Sequence, residues 1–186
     1  MSGTSISTFE DAGVKAVLQR LVGIGQNPQP LLRILAALGE SQTRERFVTE
    51  KDPDGNDWKK SMRVEGVPER PGEPAISDSD KEHAVPTGGK TLSLNGILSG
   101  SLTSDANAEY GEWGTNIIYA AIHNFGGEIK PVHAGALAFH LPNGRFVLTG
   151  KVVMPKRQFL GINEQNQRDM LAAAAEYIEK HEGDHA

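Results

Sequence analysis

The sequence predicts an α+β fold in a single domain of 186 residues. Apolar residues recur at helical spacing towards both ends of the chain, whereas short apolar or alternating runs typical of strands lie between residues 108 and 154. A stretch rich in proline and charge separates the first helices from these runs. A chain of this length can bury a core of its own. We therefore expect helices packed on a small, mostly antiparallel β-sheet with one short helix inserted.

Two amphipathic helices are predicted at the N-terminus. Residues 7–10 have the spacing of a capping box, and apolar side chains follow at the intervals of one helix face: Val14, Val17, Leu18, Leu21 and Val22. Glycines at 23 and 25 end this helix, and prolines at 28 and 30 open a second one. Its apolar stripe, which can extend to Phe47, is Leu31, Ile34, Leu35 and Leu38. We expect the two helices to form an N-terminal hairpin.

Residues 66–89 predict a long mobile arm within the domain. The segment is rich in proline and charge and has almost no large apolar side chains, so it cannot bury enough surface to offset the entropy of ordering. The following stretch, residues 91–129, contains no lysine or arginine. We expect a surface patch free of positive charge there, with Asp105, Glu109 and Glu112 among its carboxylates.

The segment between Gly114 and Gly127 predicts a short buried helix. Asn116 stands where an N-cap is wanted, and the glycines at 126 and 127 suit a C-cap. The predicted buried face carries Ile118, Ile122 and Phe125. An alternating strand precedes this helix at residues 108–113. Further strands are predicted at 136–141, 145–148 and 151–154, with a turn at 142–144, and a last helix begins near Asn163 or Asn166.

Composition argues against several classes of function. A formal net charge of −5 disfavours a general electrostatic grip on nucleic acid. The absence of cysteine excludes disulfides and thiolate metal sites. We find no signal-peptide pattern at the N-terminus and no apolar run of the roughly 18 residues that a membrane helix needs. We therefore expect a soluble, intracellular protein with no membrane partner.

Four local patterns resemble ligand or catalytic sites without meeting their requirements. Gly-Lys-Thr at residues 89–91 resembles a phosphate loop, but the polar residues 78–83 before it cannot form the buried strand that such a loop follows. Residues 52–56 resemble the start of a calcium loop, but its sixth position is Asp57 and its twelfth is Arg63. His123, His133 and His140 lack zinc-site spacing. We interpret the first pattern as a linker and the second as a turn. We expect His123 to be a partly buried packing or interface residue, and His133 and His140 to be loop and strand residues.

The fourth pattern is a set of serines near a histidine. Ser99 and Ser101 could serve a hydrolase only with a strained elbow at the nucleophile and an oriented base such as His123. The sequence offers glycine at residue 100 but no strand-to-helix elbow. We predict no catalytic residue, no cofactor and no metal.

Five motifs in order resemble the phage virion morphogenesis family, the tail completion or Mu-like gpG proteins of tailed bacteriophages. They lie between about residues 30 and 161, and the resemblance extends to about residue 178. The first two are Leu-Leu-x-Ile to Arg-Phe at 31–47 and Pro-Asp-Gly to Trp at 53–58. The others are Leu-Ser-Gly-Ser-Leu at 98–102, Gly-Thr-Asn to His-Asn-Phe-Gly at 114–126, and Arg-Gln-Phe-Leu-Gly at 157–161.

The resemblance implies a structural, non-enzymatic role late in virion assembly. It implies tail completion or head–tail joining by a ring-forming neck or tail-terminator subunit, with a hexamer as the expected ring. The implied partners are other copies of the chain, the tail tube protein and the connector or portal-side proteins. The implied location is the neck or tail of the virion, and the host cytoplasm during assembly.

Residues are assigned to this role as interface and lumen candidates. The interface candidates are Trp58, Tyr119, His123, Phe125, Arg157 and Phe159. If DNA passes through the ring, Asp105, Glu109 and Glu112 are predicted to face the lumen, since carboxylates repel phosphate and let DNA slide. Three other functions remain open. They are a minor tail or baseplate component, a small serine hydrolase or protease of virion maturation using Ser99 or Ser101 with His123, and a nucleic-acid-binding module.

Overall fold

The computed structural model describes residues 27–69 and 71–182, with side chains to residue 180. Its helices are α1 (Gln29–Thr49), α2 (Met62–Glu65), α3 (Asp78–Lys81), α4 (Ile97–Gly100), α5 (Ala120–Phe125) and α6 (Glu164–Glu182). Its strands are β1 (Thr103–Ala106), β2 (Gly111–Gly114), β3 (Gly127–Ile129), β4 (Leu137–His140), β5 (Phe146–Thr149) and β6 (Val152–Met154). The α+β prediction is confirmed. The first predicted helix, with its capping box, lies outside the described residues.

The long helix α1 organises the core. It begins next to Pro28, as predicted, and ends at Glu50, whose left-handed φ of 58° terminates the helix. Its buried face packs against the β1–β2 ribbon and against α6. Gly39 is required at the closest contact, because a Cβ there would lie 2.7 Å from the ring of Trp113. The indole N–H of Trp113 donates to the hydroxyl of Thr43 at 3.0 Å, which fixes β2 on the helix.

The core cluster joins these elements to the chain around α4, α5 and residues 157–161. Its buried members are Leu31, Leu35, Phe47, Trp58, Leu98, Leu102, Trp113, Ala120, Phe159, Leu160, Met170 and Ala174. Phe47 packs edge-on against Trp58, with ring centroids 5.4 Å apart, and tilts against Phe159 at 5.2 Å. Burying aromatic rings of this size stabilises the fold by about 2–3 kcal/mol each.

The strands form three two-stranded antiparallel ribbons, β1–β2, β3–β6 and β4–β5, in place of one small sheet. In the β1–β2 ribbon, Ser104 pairs with Trp113 and Asp105 pairs with Glu112. The predicted turn at 142–144 is present, with the Gly144 N–H donating to the Leu141 carbonyl at 2.8 Å. The strands are three or four residues long.

The described part of the predicted arm, residues 66–69 and 71–89, lies along the β4–β5 ribbon and carries α3. The rings of His83 and His140 stack with centroids 4.0 Å apart, and the Val85 N–H donates to the Pro142 carbonyl at 3.1 Å. At the base of the arm, the Arg63 guanidinium donates to the carbonyl of Gly88. These contacts hold the described part of the arm against the β4–β5 ribbon and residue 63. The predicted mobility of the arm stays a prediction.

The helix near residue 120 differs from its prediction. It begins at Ala120, with Tyr119 and not Asn116 at the N-cap. The predicted buried face is also wrong, because Ile118 is 97% exposed and Phe125 is 52% exposed. The buried positions are Ala120 and Asn124. Burial of an amide breaks the apolar periodicity on which the prediction depended.

The predicted start of the last helix is confirmed. Asn163 precedes α6, and its side-chain oxygen accepts the Asn166 N–H at 2.8 Å. The Asn166 side chain accepts the Asn163 N–H in return at 3.2 Å. This reciprocal pair is an asparagine version of the capping box. In the described residues, no helix is long and apolar enough to cross a membrane.

Candidate interaction surfaces

Residues 157–161 are held in the interior by polar groups from three other segments. The amide oxygen of Asn124 accepts the backbone N–H groups of Phe159 at 3.0 Å and Leu160 at 2.9 Å. The Arg46 guanidinium donates to the carbonyl of Phe159 at 2.7 Å and to the Asn166 side chain at 2.6 Å. A loop with no strand partner therefore has its backbone groups satisfied by buried side chains.

Three of the six interface candidates are buried inside the protomer. Phe159 is fully buried, Trp58 is 4% exposed, and the indole N–H of Trp58 donates to the Gln158 carbonyl at 3.0 Å. Arg157 donates to the carbonyl of Lys59 at 2.6 Å. These side chains make their contacts within the chain. Only the other three candidates, on and beside α5, are placed where a partner could contact them.

Those candidates, Tyr119, His123 and Phe125, lie together at the surface. Tyr119 and Phe125 are about half exposed, and the Tyr119 ring meets the His123 ring edge-on at 6.0 Å. The His123 Nδ1 atom is buried and has no hydrogen-bond partner in the described part of the chain. Burial lowers the pKa of His123, and the nearby charge of Arg157 lowers it further. We expect a neutral His123 at neutral pH.

A groove of about 1170 Å³ opens beside His123. One wall comes from residues 59–68 and 92–98, and the other from residues 139–155 of the β-ribbons. The apolar part of its lining includes Met62, Leu94, Phe139, Val147 and Met154. Six cationic side chains and two glutamates also line it, the cations being Lys59, Lys60, Arg63, Arg145, Lys151 and Arg157. The groove is larger than a typical small-molecule site and combines apolar walls with positive charge.

The β1–β2 ribbon presents the opposite charge. Asp105 and Glu112 face each other across the ribbon, on the side turned away from α1 and Trp113. Glu109 and Tyr110 lie in the connecting turn, where the Asn107 side chain accepts both of their backbone N–H groups at 2.7 and 2.9 Å. Tyr110 is 52% exposed. The three lumen candidates therefore lie on one ribbon, around an exposed aromatic ring.

The serines of the hydrolase alternative are engaged elsewhere. The hydroxyl of Ser101 donates to the Leu98 carbonyl at 2.8 Å and lies 2.6 Å from the Thr115 hydroxyl. The Ser99 hydroxyl donates to the Gly96 carbonyl at 3.2 Å. Within the described residues neither serine is hydrogen-bonded to His123, and the Nδ1 atom of that histidine is buried without a partner.

The phosphate-loop and calcium-loop patterns fold as a linker and a turn, as predicted. The amine of Lys90 donates to the Val48 carbonyl at 2.6 Å, and the Thr91 N–H donates to the Glu50 carboxylate at 2.6 Å. A phosphate loop must lead directly into a helix, but the next helix after this segment is the four-residue α4. Asp52 accepts the Asn56 N–H at 2.9 Å within its own turn. Across residues 27–69 and 71–182, no group of three or more potential ligands is placed to hold a metal.

Sequence patterns did not reveal the groove or the buried polar frame. The groove cations come from four separate segments, residues 59–63 and positions 145, 151 and 157, so no local spacing joins them. Asn124 carried a weak signal, since it is a polar residue within the mostly apolar segment 117–125. A polar residue at such a position often satisfies buried backbone groups, as Asn124 does here. Arg46 follows the polar residues 40–45, so its buried role gave no signal in the sequence.

Comparison with known proteins supplies the family. Residues 9–179 match the family model of the phage virion morphogenesis family. A relative from Haemophilus influenzae, "Mu-like prophage FluMu G protein 2", is 30% identical over 166 residues, which cover 89% of each chain. "Putative capsid assembly protein G" of Escherichia phage Mu is 29% identical over 149 residues, covering 76% of this chain and 73% of that relative. No solved structure matches. The chain belongs to the phage virion morphogenesis family.

Proposed function

We propose that this chain is a ring-forming subunit of the neck or tail end of a tailed phage, where it completes the tail or joins it to the head. The observation that carries the proposal is the family match over residues 9–179, which takes in almost all of the described fold. The name of the phage Mu relative refers to capsid assembly, which supports a position on the head side of the tail. The other copies of the ring, the tail tube protein and the connector proteins are its proposed partners.

We propose a structural role and no catalysis. The hydroxyls of Ser99 and Ser101 are occupied by backbone carbonyls of their own short helix, which supports this choice over a serine hydrolase. A nucleophile needs its hydroxyl within hydrogen-bond reach of a base.

A lumen role for Asp105, Glu109 and Glu112 stays a prediction within this proposal. Asp105 and Glu112 project from the same face of the β1–β2 ribbon, with Glu109 at its turn. A ring that turned this ribbon inward would present only negative charge from the ribbon to passing DNA. Phosphates would then find no cation to bind.

The test is to delete the gene in the phage or prophage that encodes the chain and to image the lysate by electron microscopy. We expect DNA-filled heads and complete tail tubes that remain unjoined, with infectivity restored by the wild-type chain supplied in trans. Joined particles with defective baseplates would support the minor tail role instead. The hydrolase would be supported if the lysate accumulated an uncleaved virion protein, and if the wild-type chain but not the Ser101→Ala variant restored its cleavage.

A further inference from the structure

Building on the ring-forming role, we propose that the turn of the β1–β2 ribbon of one copy docks into the cationic groove of the next copy. The docking segment is residues 105–112, with Tyr110 at its exposed turn. The receiving site is the groove of about 1170 Å³ between residues 59–68 and the β-ribbons. The two surfaces differ in shape and charge, so the contact joins unlike faces of identical chains.

The two surfaces lie towards opposite ends of α1. The turn end of the ribbon lies at the N-terminal end of the helix, where the Gln29 side chain donates to the Ala106 carbonyl at 3.0 Å and Gly111 lies against the Leu32 backbone. The other end of the ribbon reaches Thr43 through Trp113. The groove lies at the other end, where Lys60 pairs with Glu50 at 2.6 Å. Leu32 and Glu50 are 18 residues apart in the sequence. At 1.5 Å per residue, this spans about 27 Å along the helix axis.

This separation decides what the groove can receive. The turn of the ribbon lies at one end of α1, so it cannot reach the groove at the other end of the same helix. The turn of the ribbon in a second copy can reach that groove. A head-to-tail contact between two different surfaces is heterologous, and repeating it produces a closed ring when the rotation closes.

Charge favours the same pairing. Six lysine and arginine side chains line the groove. Three of them are paired with carboxylates of the same chain, Lys60 with Glu50, Arg145 with Glu73 and Lys151 with Glu128. The other three, Lys59, Arg63 and Arg157, form no ion pair in the described part of the chain, so the groove keeps a positive excess for a partner. The ribbon, within the base-free stretch 91–129, carries three carboxylates. Complementary potentials of this kind steer association and set the register of an interface.

The ribbon also carries an internal repulsion that a cationic partner would relieve. Asp105 and Glu112 are direct cross-strand neighbours, and like charges in such a pair destabilise a ribbon. No lysine or arginine is hydrogen-bonded or ion-paired to either carboxylate within the described residues. Tyr110 adds an aromatic ring beside these charges, and exposed tyrosines of this kind are frequent anchors in protein interfaces.

The experiment compares the oligomeric state of charge-reversal variants by native mass spectrometry and light scattering. Glu109→Lys and Lys59→Glu should each raise the dissociation constant of the oligomer about tenfold. The double variant Glu109→Lys/Lys59→Glu restores opposite charges at every interface, so it should assemble more tightly than either single variant. Tyr110→Ser should also weaken assembly without changing charge.

Controls are the reversals Glu179→Lys and Arg168→Glu on the exposed face of α6, which should assemble as the wild type does. Circular dichroism checks that every variant is folded. Oligomers that are unchanged by Glu109→Lys, Lys59→Glu and Tyr110→Ser would overturn the docking proposal. So would a wild-type chain that stays monomeric at every concentration.

Lumen-facing carboxylates are the competing outcome. In that case Glu109→Lys leaves the ring intact and makes it retain DNA in a gel-shift assay, which also overturns docking. The neck role is judged separately by the deletion lysate. Unjoined heads and tails in that lysate, together with wild-type rings that the three variants leave unchanged, would overturn the docking contact alone. A monomeric wild type would overturn both the docking contact and the ring-forming role.

Discussion

Replacing Asn124 with alanine should loosen residues 157–161 and destabilise the fold. The Asn124 amide oxygen is the acceptor for the buried N–H groups of Phe159 and Leu160, at 3.0 and 2.9 Å. Each buried donor left without a partner costs about 1–3 kcal/mol, so we expect a loss of about 3 kcal/mol in the free energy of unfolding. For a domain of this size the urea midpoint should fall by about 1.5 M.

The matched control is Asn116→Ala. Asn116 is exposed and does not cap α5, so this change should stay within about 0.5 kcal/mol of wild type. Hydrogen exchange provides a local readout, because the amides of Phe159 and Leu160 should exchange faster in the Asn124 variant alone. Equal urea midpoints for the two variants would refute the assignment of Asn124 as the acceptor that holds this loop.

Two further changes test the core and the histidine. Gly39→Ala places a Cβ about 2.7 Å from the Trp113 ring and should cost about 1–3 kcal/mol by urea unfolding, whereas Gly114→Ala enters open space and should cost little. A large loss in Gly114→Ala alone would contradict this packing. Because burial lowers the pKa of His123, the unfolded state binds its proton first as pH falls through about 6.5, so stability should decline on acidification. His123→Gln should flatten that decline, and a slope as steep as that of the wild type would contradict it.

The sequence predicted the elements whose signals are local. Pro28 before α1, Pro30 in its first turn and the asparagine before α6 mark helix starts by their own backbone chemistry, and the structure confirms both starts. The turn at 142–144 follows from glycine at its end in the same way. These features depend on neighbouring residues alone, so one sequence suffices to find them.

What the sequence could not predict depends on contacts between distant segments. Ile118 and Phe125 are apolar at helical spacing, yet both are exposed, because Asn124 takes the buried face to serve a loop 35 residues away. Trp58 and Phe159 were interpreted as interface residues, but each is buried against Phe47. Whether a side chain is buried depends on which distant segment packs against it, and the spacing of apolar residues does not predict that segment.

Of the two candidate surfaces, one could be predicted from the sequence and the other could not. The acidic ribbon was visible in the sequence as a stretch without lysine or arginine. The cationic groove was not, because its charges come together only when residues 59–63 meet the β-ribbons. The pairing of the two surfaces could therefore be inferred only from their positions at the two ends of α1.

Native mass spectrometry of the purified wild-type protein tests the ring-forming role most directly. We expect one closed assembly, a hexamer, whose dissociation constant rises about tenfold in Glu109→Lys and in Lys59→Glu and falls again in the double variant. A wild-type protein that remains monomeric at every concentration, or that forms an open series of sizes with no closed species, would contradict it.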